Sequence, residues 1–270
     1  MNSSHQFKPN VSLIIAVYRR NDFLRLILRA LELQTFRNFE VIVAEDCRDE
    51  ETVVLLAEYC ARGILPIKHV AQDDIGFRKN RIMNAAIKVA RAEVLVFLDG
   101  DCIPHRNFVA AYANAVVPGF AYWGRRVMLG PRISARLNIG RMKLPITLRD
   151  LLLSDSRRIE EALPLRALGA QVKSRAISGC NWGICKRHLL AVNGFDEDYV
   201  SACVGEDVDV EERLILSGIK LKSMRNRAIV YHLHHRPNEN ADSHAANLQL
   251  MKDKIRRHGA ICRNGLRSLT

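Results

Sequence analysis

"VLVFLDGDC", residues 94–102, runs five apolar residues straight into Asp-Gly-Asp. Val94 to Leu98 is short, uninterrupted and rich in β-branched residues, the pattern of a strand covered on both faces of a parallel sheet. Asp99 and Asp101 then fall at its C-terminal end, where open α/β sheets bind their ligands. Two carboxylates two positions apart repel each other unless a cation offsets them. The expectation is therefore a divalent metal carrying a phosphate. Asp-x-Asp alone occurs often by chance, and its place at a buried strand end is what gives it weight.

Working outward, "VSLIIAV" and "FEVIVAED" read as two more strands, the second also ending in carboxylates, Glu45 and Asp46. Leu24, Ile27, Leu28 and Leu31 share one helical face after the first strand. "ILPIKHV" reads as a third strand, and "DIGFRKNR" opens a helix carrying Ile82, Ala86 and Val89. This alternation over residues 11–101 predicts a doubly wound parallel sheet. Asp46 and the Asp99/Asp101 pair then line one crevice. No GxGxxG follows the first strand and no GxxxxGK[ST] is present, which disfavours dinucleotide and P-loop sites.

From about residue 119 the texture changes. "GPRISARLNIGRMKLPITLRD" is basic, punctuated by Gly and Pro and poorly periodic, so it reads as a mobile loop or a short helical insertion. Patterning returns with "AISGCNWGICKR". Asp207 to Ser217 then reads as a helix, with Val208, Leu214 and Ile215 inward and Gly218 closing it. "AIVYHLHH" is a late strand ending in histidines. A helical tail follows from Ala241, with Leu248, Met251 and Ile255 on one apolar stripe.

The 270 residues suffice for one large core, and 48% hydrophobic with 26% charged residues argues against disorder. No apolar stretch approaches the roughly 18 residues of a membrane span, and "VSLIIAV" is too short and lacks the basic lead of a secretory segment. Seven cysteines without regular CxxC spacing point to reduced thiols in a cytosolic protein. The net charge of +12 is clustered: residues 119–175 hold twelve Lys/Arg against four acids, and residues 252–270 hold six against one. Such regions meet nucleic acid, anionic lipid or phosphorylated substrates, or are simply solvated.

The stretches quoted above, together with "DDIGFRKNRIMNAAIKVARAEVLVFLDGDCIPHRNF" and "NGFDEDYVSACVGEDVDVEERLILSG", resemble the family 2 glycosyltransferases of GT-A fold over roughly residues 10–235. The last stretch is also similar to the C-terminal half of the galactosyltransferase domain. The resemblance implies a Rossmann-like, mostly parallel central sheet flanked by helices over residues 1–240. It would comprise a nucleotide-binding half at 10–118, a basic insertion at 119–175 and an acceptor-side half at 176–240; residues 241–270, which the resemblance leaves uncovered, read from their own pattern as a basic helical tail.

The same resemblance implies an inverting transfer from a nucleotide-sugar, usually a UDP-sugar such as UDP-Gal, UDP-GalNAc or UDP-GlcNAc, to a hydroxyl of a glycan or glycolipid. It places Tyr18, Asp46 and the neighbouring Glu45 on the nucleoside. Arg78 or Arg81 reaches the diphosphate, unless each is a helix-surface arginine. Asp99 and Asp101 match the Asp-x-Asp that holds Mn²⁺ or Mg²⁺, and Asp99 also reaches the donor. His232 matches a histidine that completes the metal site in many relatives, whereas His234 and His235 are read as surface residues. Glu206-Asp207 matches the acidic pair in which the aspartate deprotonates the acceptor and the glutamate binds it. A carboxylate within hydrogen-bond reach of a sugar hydroxyl acts as general base, and a helix start favours its ionised form.

The chain departs from the family in places. A Gly-Trp-Gly-Gly commonly precedes the acidic pair, and "SACVG" stands here instead. Trp182 is then either the ring that stacks on the acceptor sugar or core filling. Met83 replaces a customary arginine before Asn84. The setting expected is the cytoplasmic side of a bacterial plasma membrane, with the basic segments on anionic lipid and the product a surface polysaccharide, lipopolysaccharide or capsule intermediate. A nucleotide-sugar pyrophosphorylase would want a Gly-rich basic loop after the first strand, which "VYRRND" is not. A nucleic-acid-binding module would explain the charge but not three acidic element ends.

Overall fold

The computed structural model describes residues 8–163, 177–202, 204–236 and 241–269. The end of the expected insertion (164–175), Cys203 of "SACVG" and the 237–240 junction before the tail lie outside the described residues.

In chain order, β1 (Val11–Val17), α1 (Asn21–Glu32), β2 (Phe39–Glu45), α2 (Glu50–Ala61), β3 (Ile67–Ala71), α3 (Lys79–Val89) and β4 (Val94–Asp99) form the alternating half. Then come β5 (Cys102–Pro104), α4 (Phe108–Ala115), β6 (Phe120–Trp123), β7 (Arg126–Met128), α5 (Pro131–Asn138) and α6 (Leu148–Leu152). The chain closes with β8 (Trp182–Cys185), α7 (Lys186–Ala191), α8 (Val208–Leu216), β9 (Lys220–Ser223), β10 (Val230–His232) and α9 (Ala241–His258).

A seven-stranded sheet runs β3-β2-β1-β4-β8-β6-β9. The first four strands are mutually parallel, β8 is antiparallel to both β4 and β6, and β9 is parallel to β6. Chain order reverses between β1 and β4, so the crevice beyond their carboxyl ends is the topological switch point where ligands bind. β1, β2 and the centre of β4 have no exposed face, which accounts for their uninterrupted apolar sequences. A second sheet, β5-β10-β7, lies at the mouth of that crevice. There β10 pairs antiparallel with β5 and parallel with β7, setting His232 opposite both Cys102 and Met128.

Three local expectations change. Residues 120–128, expected within the insertion, supply the strands β6 and β7, and the helical insertion proper starts at Gly130. Val89 and Val208 are 40% and 39% exposed. On α8 the inward face is instead Asp209, Val210, Glu211, Arg213 and Leu214. The Arg213 guanidinium lies 2.7 Å from Asp209, and Asp209 also accepts the Tyr199 hydroxyl at 3.0 Å. Paired in this way, the two charges can lie where the sequence period calls for apolar residues.

The tail is built onto the loop that leads into α8. Leu248, Met251 and Ile255 of α9 pack on Tyr199 and Val204, and the Asn247 amide donates to the carbonyls of Ser201 and Ala202. Lys254 reaches the carboxylates of both Asp196 and Asp198.

Candidate active site

The site is assembled from the ends of β1, β2 and β4, the start of α3, and the loop before α8. Gly100 separates the two aspartates, and a Cβ there would lie 2.6 Å from the Ala16 carbonyl oxygen. Only glycine lets the chain cross β1 so closely, and this turns Asp99 and Asp101 to different partners.

Asp101 Oδ2 lies 3.2 Å from His232 Nε2 and 2.9 Å from His235 Nε2, while its other oxygen accepts the Cys102 thiol at 3.1 Å. Ligand atoms of Asp101, His232 and His235 all fall within 4.8 Å of one another. Burial pushes the Asp101 carboxyl up, but the two histidines outweigh it and hold it far below the usual carboxylate range. One carboxylate oxygen with two imidazole nitrogens is a donor set that suits Mn²⁺, whereas Mg²⁺ prefers oxygen. The three residues fit a divalent ion. His235, read from sequence as a surface residue, belongs to this group, and His234 is the exposed one, its backbone N–H donating to Ser134 Oγ at 2.9 Å.

Asp99 does not join that cluster. Its Oδ1 accepts from Lys79 Nζ at 2.9 Å, and the same ammonium reaches Glu206 Oε2 at 2.5 Å. Burial disfavours the Lys79 charge, yet Asp99 and Glu206 overcome this and hold its pKa well above the usual lysine value. Burial raises the Asp99 carboxyl. Sequence reasoning missed Lys79, which ties the Asp-x-Asp turn to the acidic pair. Two further ties come from α3: the Asn80 amide donates to the Asp196 and Gly205 carbonyls, both at 2.7 Å, and Asn84 holds Phe195 and Glu197. The loop that ends in Glu206-Asp207 is therefore pegged to α3.

Asp207 caps α8 by accepting the Val208 N–H at 2.9 Å, and its Oδ2 accepts the Gly179 N–H at 3.1 Å. Burial first, and Glu206 beside it second, raise its pKa. Gly179 has no side chain to intrude: its Cβ position is 3.4 Å from both Asp99 and Lys79.

At the ends of β1 and β2, Tyr18 is 50% exposed and donates to Asp74 at 3.2 Å, a carboxylate shared with Arg19. Asp46 is buried and accepts the Arg78 backbone N–H at 2.9 Å together with the Gln72 amide, and burial raises its pKa. It clamps the loop leading into α3. Arg78 donates to the Asp73 carbonyl at 3.0 Å, while its buried Nε has no hydrogen-bond partner among the described residues. Arg81 is exposed on the outside of α3.

One expectation is corrected, and one open alternative is decided. Glu45 faces away from the crevice: it is fully buried, accepting the Thr52 hydroxyl at 2.6 Å and facing His69 Nε2 at 2.8 Å. Successive strand residues point to opposite faces, so Glu45 and Asp46 cannot share a site. Trp182 is core: 1% exposed, stacked on Phe97 at 4.2 Å and edge-on to Phe195. It offers no face to an acceptor sugar. Arg126 is a further site residue that sequence reading missed. Strand register puts it on the same sheet face as Met128, Cys102 and His232, with Cys180, Cys102, Asp101 and Asp99 as its electrostatic neighbours.

The crevice at the switch point of this α/β sheet thus gathers carboxylates and a group, Asp101, His232 and His235, that fits a divalent cation. The glycosyl transferase family 2 model matches residues 12–128, and the model for the N-terminal domain of galactosyltransferase matches residues 162–236. Residues 12–128 thus match a family 2 glycosyltransferase domain, the chain has the GT-A fold, and its second half is galactosyltransferase-like. It is 26% identical over 277 residues to validoxylamine A glucosyltransferase of Streptomyces hygroscopicus subsp. limoneus, covering 94% of this chain and 58% of that protein. The chain thus spans about three fifths of the curated relatives it matches, 58% and 62% for the two validoxylamine A glucosyltransferases.

Among solved structures, the mannosyltransferase PcManGT from Pyrobaculum calidifontis, in complex with GDP-Man and Mn²⁺, superposes with a TM-score of 0.63 at 18% identity. That match covers 94% of this chain and 66% of the other. S. aureus TarS 1-349 in complex with UDP-GlcNAc gives 0.58 at 16% identity, over 94% and 74% of the two chains. Among the described residues no helix is long and apolar enough to cross a membrane.

Proposed function

We propose that this protein is a metal-dependent, inverting glycosyltransferase that moves a sugar from a nucleotide-sugar to a hydroxyl of a glycan or glycolipid. The observation that carries the reading is the convergence of two chemistries on one crevice: the Asp101–His232–His235 group and, joined to it through Asp99, Lys79 and Glu206, the carboxylate of Asp207. Complexes of the neighbouring structures with GDP-Man and UDP-GlcNAc support a nucleotide-sugar donor. The donor proposed is a UDP-sugar, UDP-Gal, UDP-GalNAc or UDP-GlcNAc, with Tyr18 and Asp46 beside the nucleoside and Arg78 toward the diphosphate.

Asp101, His232 and His235 would hold Mn²⁺ or Mg²⁺, which when bound stabilises the charge of the departing diphosphate. Asp207 accepts the acceptor hydroxyl's proton as that oxygen attacks the anomeric carbon from the face opposite the leaving group. Its raised pKa makes it a stronger base than an ordinary surface aspartate. The Gly179 N–H and the start of α8 fix its orientation. Lys79 neutralises Asp99 and Glu206, leaving Glu206 placed to bind an acceptor hydroxyl. The setting proposed is the cytoplasmic face of a bacterial plasma membrane, in synthesis of a surface polysaccharide, lipopolysaccharide or capsule, with no role for nucleic acid. The test is incubation with a panel of nucleotide sugars and Mn²⁺, following nucleoside diphosphate release with and without saccharide acceptors. Release from none of them, by protein that binds no nucleoside diphosphate, would sink the reading.

A further inference from the structure

The insertion that begins at Gly130 folds with its greasy residues divided between two sides. Ile133, Leu137, Ile146 and Leu151 are buried beneath it, whereas Ile139, Leu148, Leu152 and Leu153 are 64%, 43%, 65% and 78% exposed. Leu148 and Leu152 lie one helical turn apart on α6, which a Thr147–Asp150 capping box locks in place, and Leu153 follows directly. Arg132, Arg136, Arg141, Lys143, Arg149, Arg157 and Arg158 flank these apolar residues along the chain, and all seven are exposed. None of the seven has a side-chain ion pair or hydrogen bond to another described residue. Of the segment's four acids, Asp150 accepts the Thr147 N–H at 2.9 Å, Asp155 accepts the Arg132 N–H at 3.1 Å and Glu161 pairs with Arg225 outside the segment, which leaves Glu160 as an exposed acid against the seven bases.

We propose that this segment docks on the surface of an anionic lipid bilayer, the leucines entering the headgroup layer and the arginines and lysine meeting lipid phosphates. Exposed apolar residues among predominantly basic ones are the pattern of interfacial binding. A second copy of the chain fits poorly, because a two-fold contact would press the basic segment against itself. Single-stranded nucleic acid fits poorly as well: it is held by aromatic stacking, and residues 130–163 contain no Phe, Tyr or Trp. Charge complementarity selects the membrane. The basic stretch of the C-terminal tail is less suited to this role, since Lys254 is engaged with Asp196 and Asp198 and the apolar stripe of α9 is packed inward.

This inference deepens the proposed function and rests on its membrane-borne acceptor. α5 is part of the same insertion, and its Ser134 accepts the His234 N–H next to the metal-binding histidines. Docking this segment would hold the crevice at headgroup level, where such an acceptor hydroxyl lies.

The test is flotation of the full chain with phosphatidylcholine vesicles, with and without phosphatidylglycerol, alongside calorimetric binding of UDP and GDP with Mn²⁺. Wild type should float with anionic vesicles only, and less so in high salt. Leu148→Ser/Leu152→Ser/Leu153→Ser and Arg136→Glu/Arg149→Glu should each weaken binding by about ten-fold or more. Both should keep wild-type circular dichroism and nucleoside diphosphate binding, since every changed side chain is exposed. Equal recovery on neutral vesicles, or wild-type flotation by the leucine variant, would overturn the inference. So would a leucine variant that only turns a dimer into a monomer in light scattering. Nucleotide binding without vesicle binding refutes the docking alone, and vesicle binding without nucleotide binding refutes the enzyme reading alone.

Discussion

Removing the Lys79 ammonium is the sharpest single perturbation the structure offers. Its nitrogen lies 2.9 Å from Asp99 and 2.5 Å from Glu206, with the three side chains 21%, 23% and 16% exposed. Two unit charges about 3 Å apart attract by roughly 5 kcal/mol at an effective dielectric of ~20, and most of that offsets desolvation. The cost of breaking the pair is therefore set by the carboxylates left facing each other. Breaking a fully buried pair costs about 3–5 kcal/mol. Partial exposure lowers this to about 2–3 kcal/mol for Lys79→Met. At roughly 2–4 °C per kcal/mol for a chain of this size, the melting temperature should fall by about 5–10 °C. The control is a cycle: adding Asp99→Asn and Glu206→Gln removes the uncompensated charges, so the triple variant should recover most of the loss. Denaturant and thermal melts of wild type, Lys79→Met, the Asp99→Asn/Glu206→Gln double variant and the triple variant measure it. A Lys79→Met loss below about 0.5 kcal/mol, the size of an exposed pair, would refute the reasoning. A triple variant no more stable than the single would do so as well.

Asp207→Asn keeps shape but cannot accept a proton, so transfer should drop by about 100-fold or more while nucleoside diphosphate affinity holds. Because burial raises the Asp207 pKa, the acid limb of the wild-type rate profile should lie above the ordinary aspartate value of about 3.9 and vanish in the variant. His235→Ala, like His232→Ala, should abolish the Mn²⁺ enhancement of nucleoside diphosphate binding in titration calorimetry; an unchanged enhancement would place the metal elsewhere. Glu40 is wholly buried, accepting from Ser12, the Arg91 backbone and the Arg91 side chain. Burial opposes its charge, but these bonds prevail and lower its pKa. Its contribution is thus present above the unfolded value of about 4.3 and lost as pH falls through the lower folded one. Glu40→Gln should cost about 1–3 kcal/mol at neutral pH, with the gap from wild type closing in acid.

The strands and the crevice were legible because their information is local. A strand buried on both faces must be apolar throughout, so "VSLIIAV", "FEVIVAE" and "VLVFLD" announce themselves, and the acids at their ends follow from chain order alone. The helical stripe of α1 was equally plain, since Leu24, Ile27, Leu28 and Leu31 are all fully buried. Period failed on α8, where the Asp209–Arg213 pair fills the core in place of Val208, and at Val89, the last residue of α3.

The site's remaining parts were illegible for a different reason: each takes its role from a partner far away in sequence. Lys79 follows an arginine at a helix start and looks like any surface lysine until Glu206, 127 positions later, arrives beside it. His235 lies three residues past the last residue of β10 and reaches Asp101 only because the chain turns back over the crevice, with the Leu233 N–H held at 2.8 Å by the Asp101 carbonyl. Arg126 is one of many arginines, and only its register opposite Val230 aims it at the carboxylates. Trp182 shows the converse. Its neighbours Gly183, Ile184 and Cys185 make a strand buried throughout, and that pattern, weighed above the search for a sugar-stacking ring, would have assigned it to the core. Residue type proposes a chemistry, while strand register and long-range closure decide which copies of that residue can perform it.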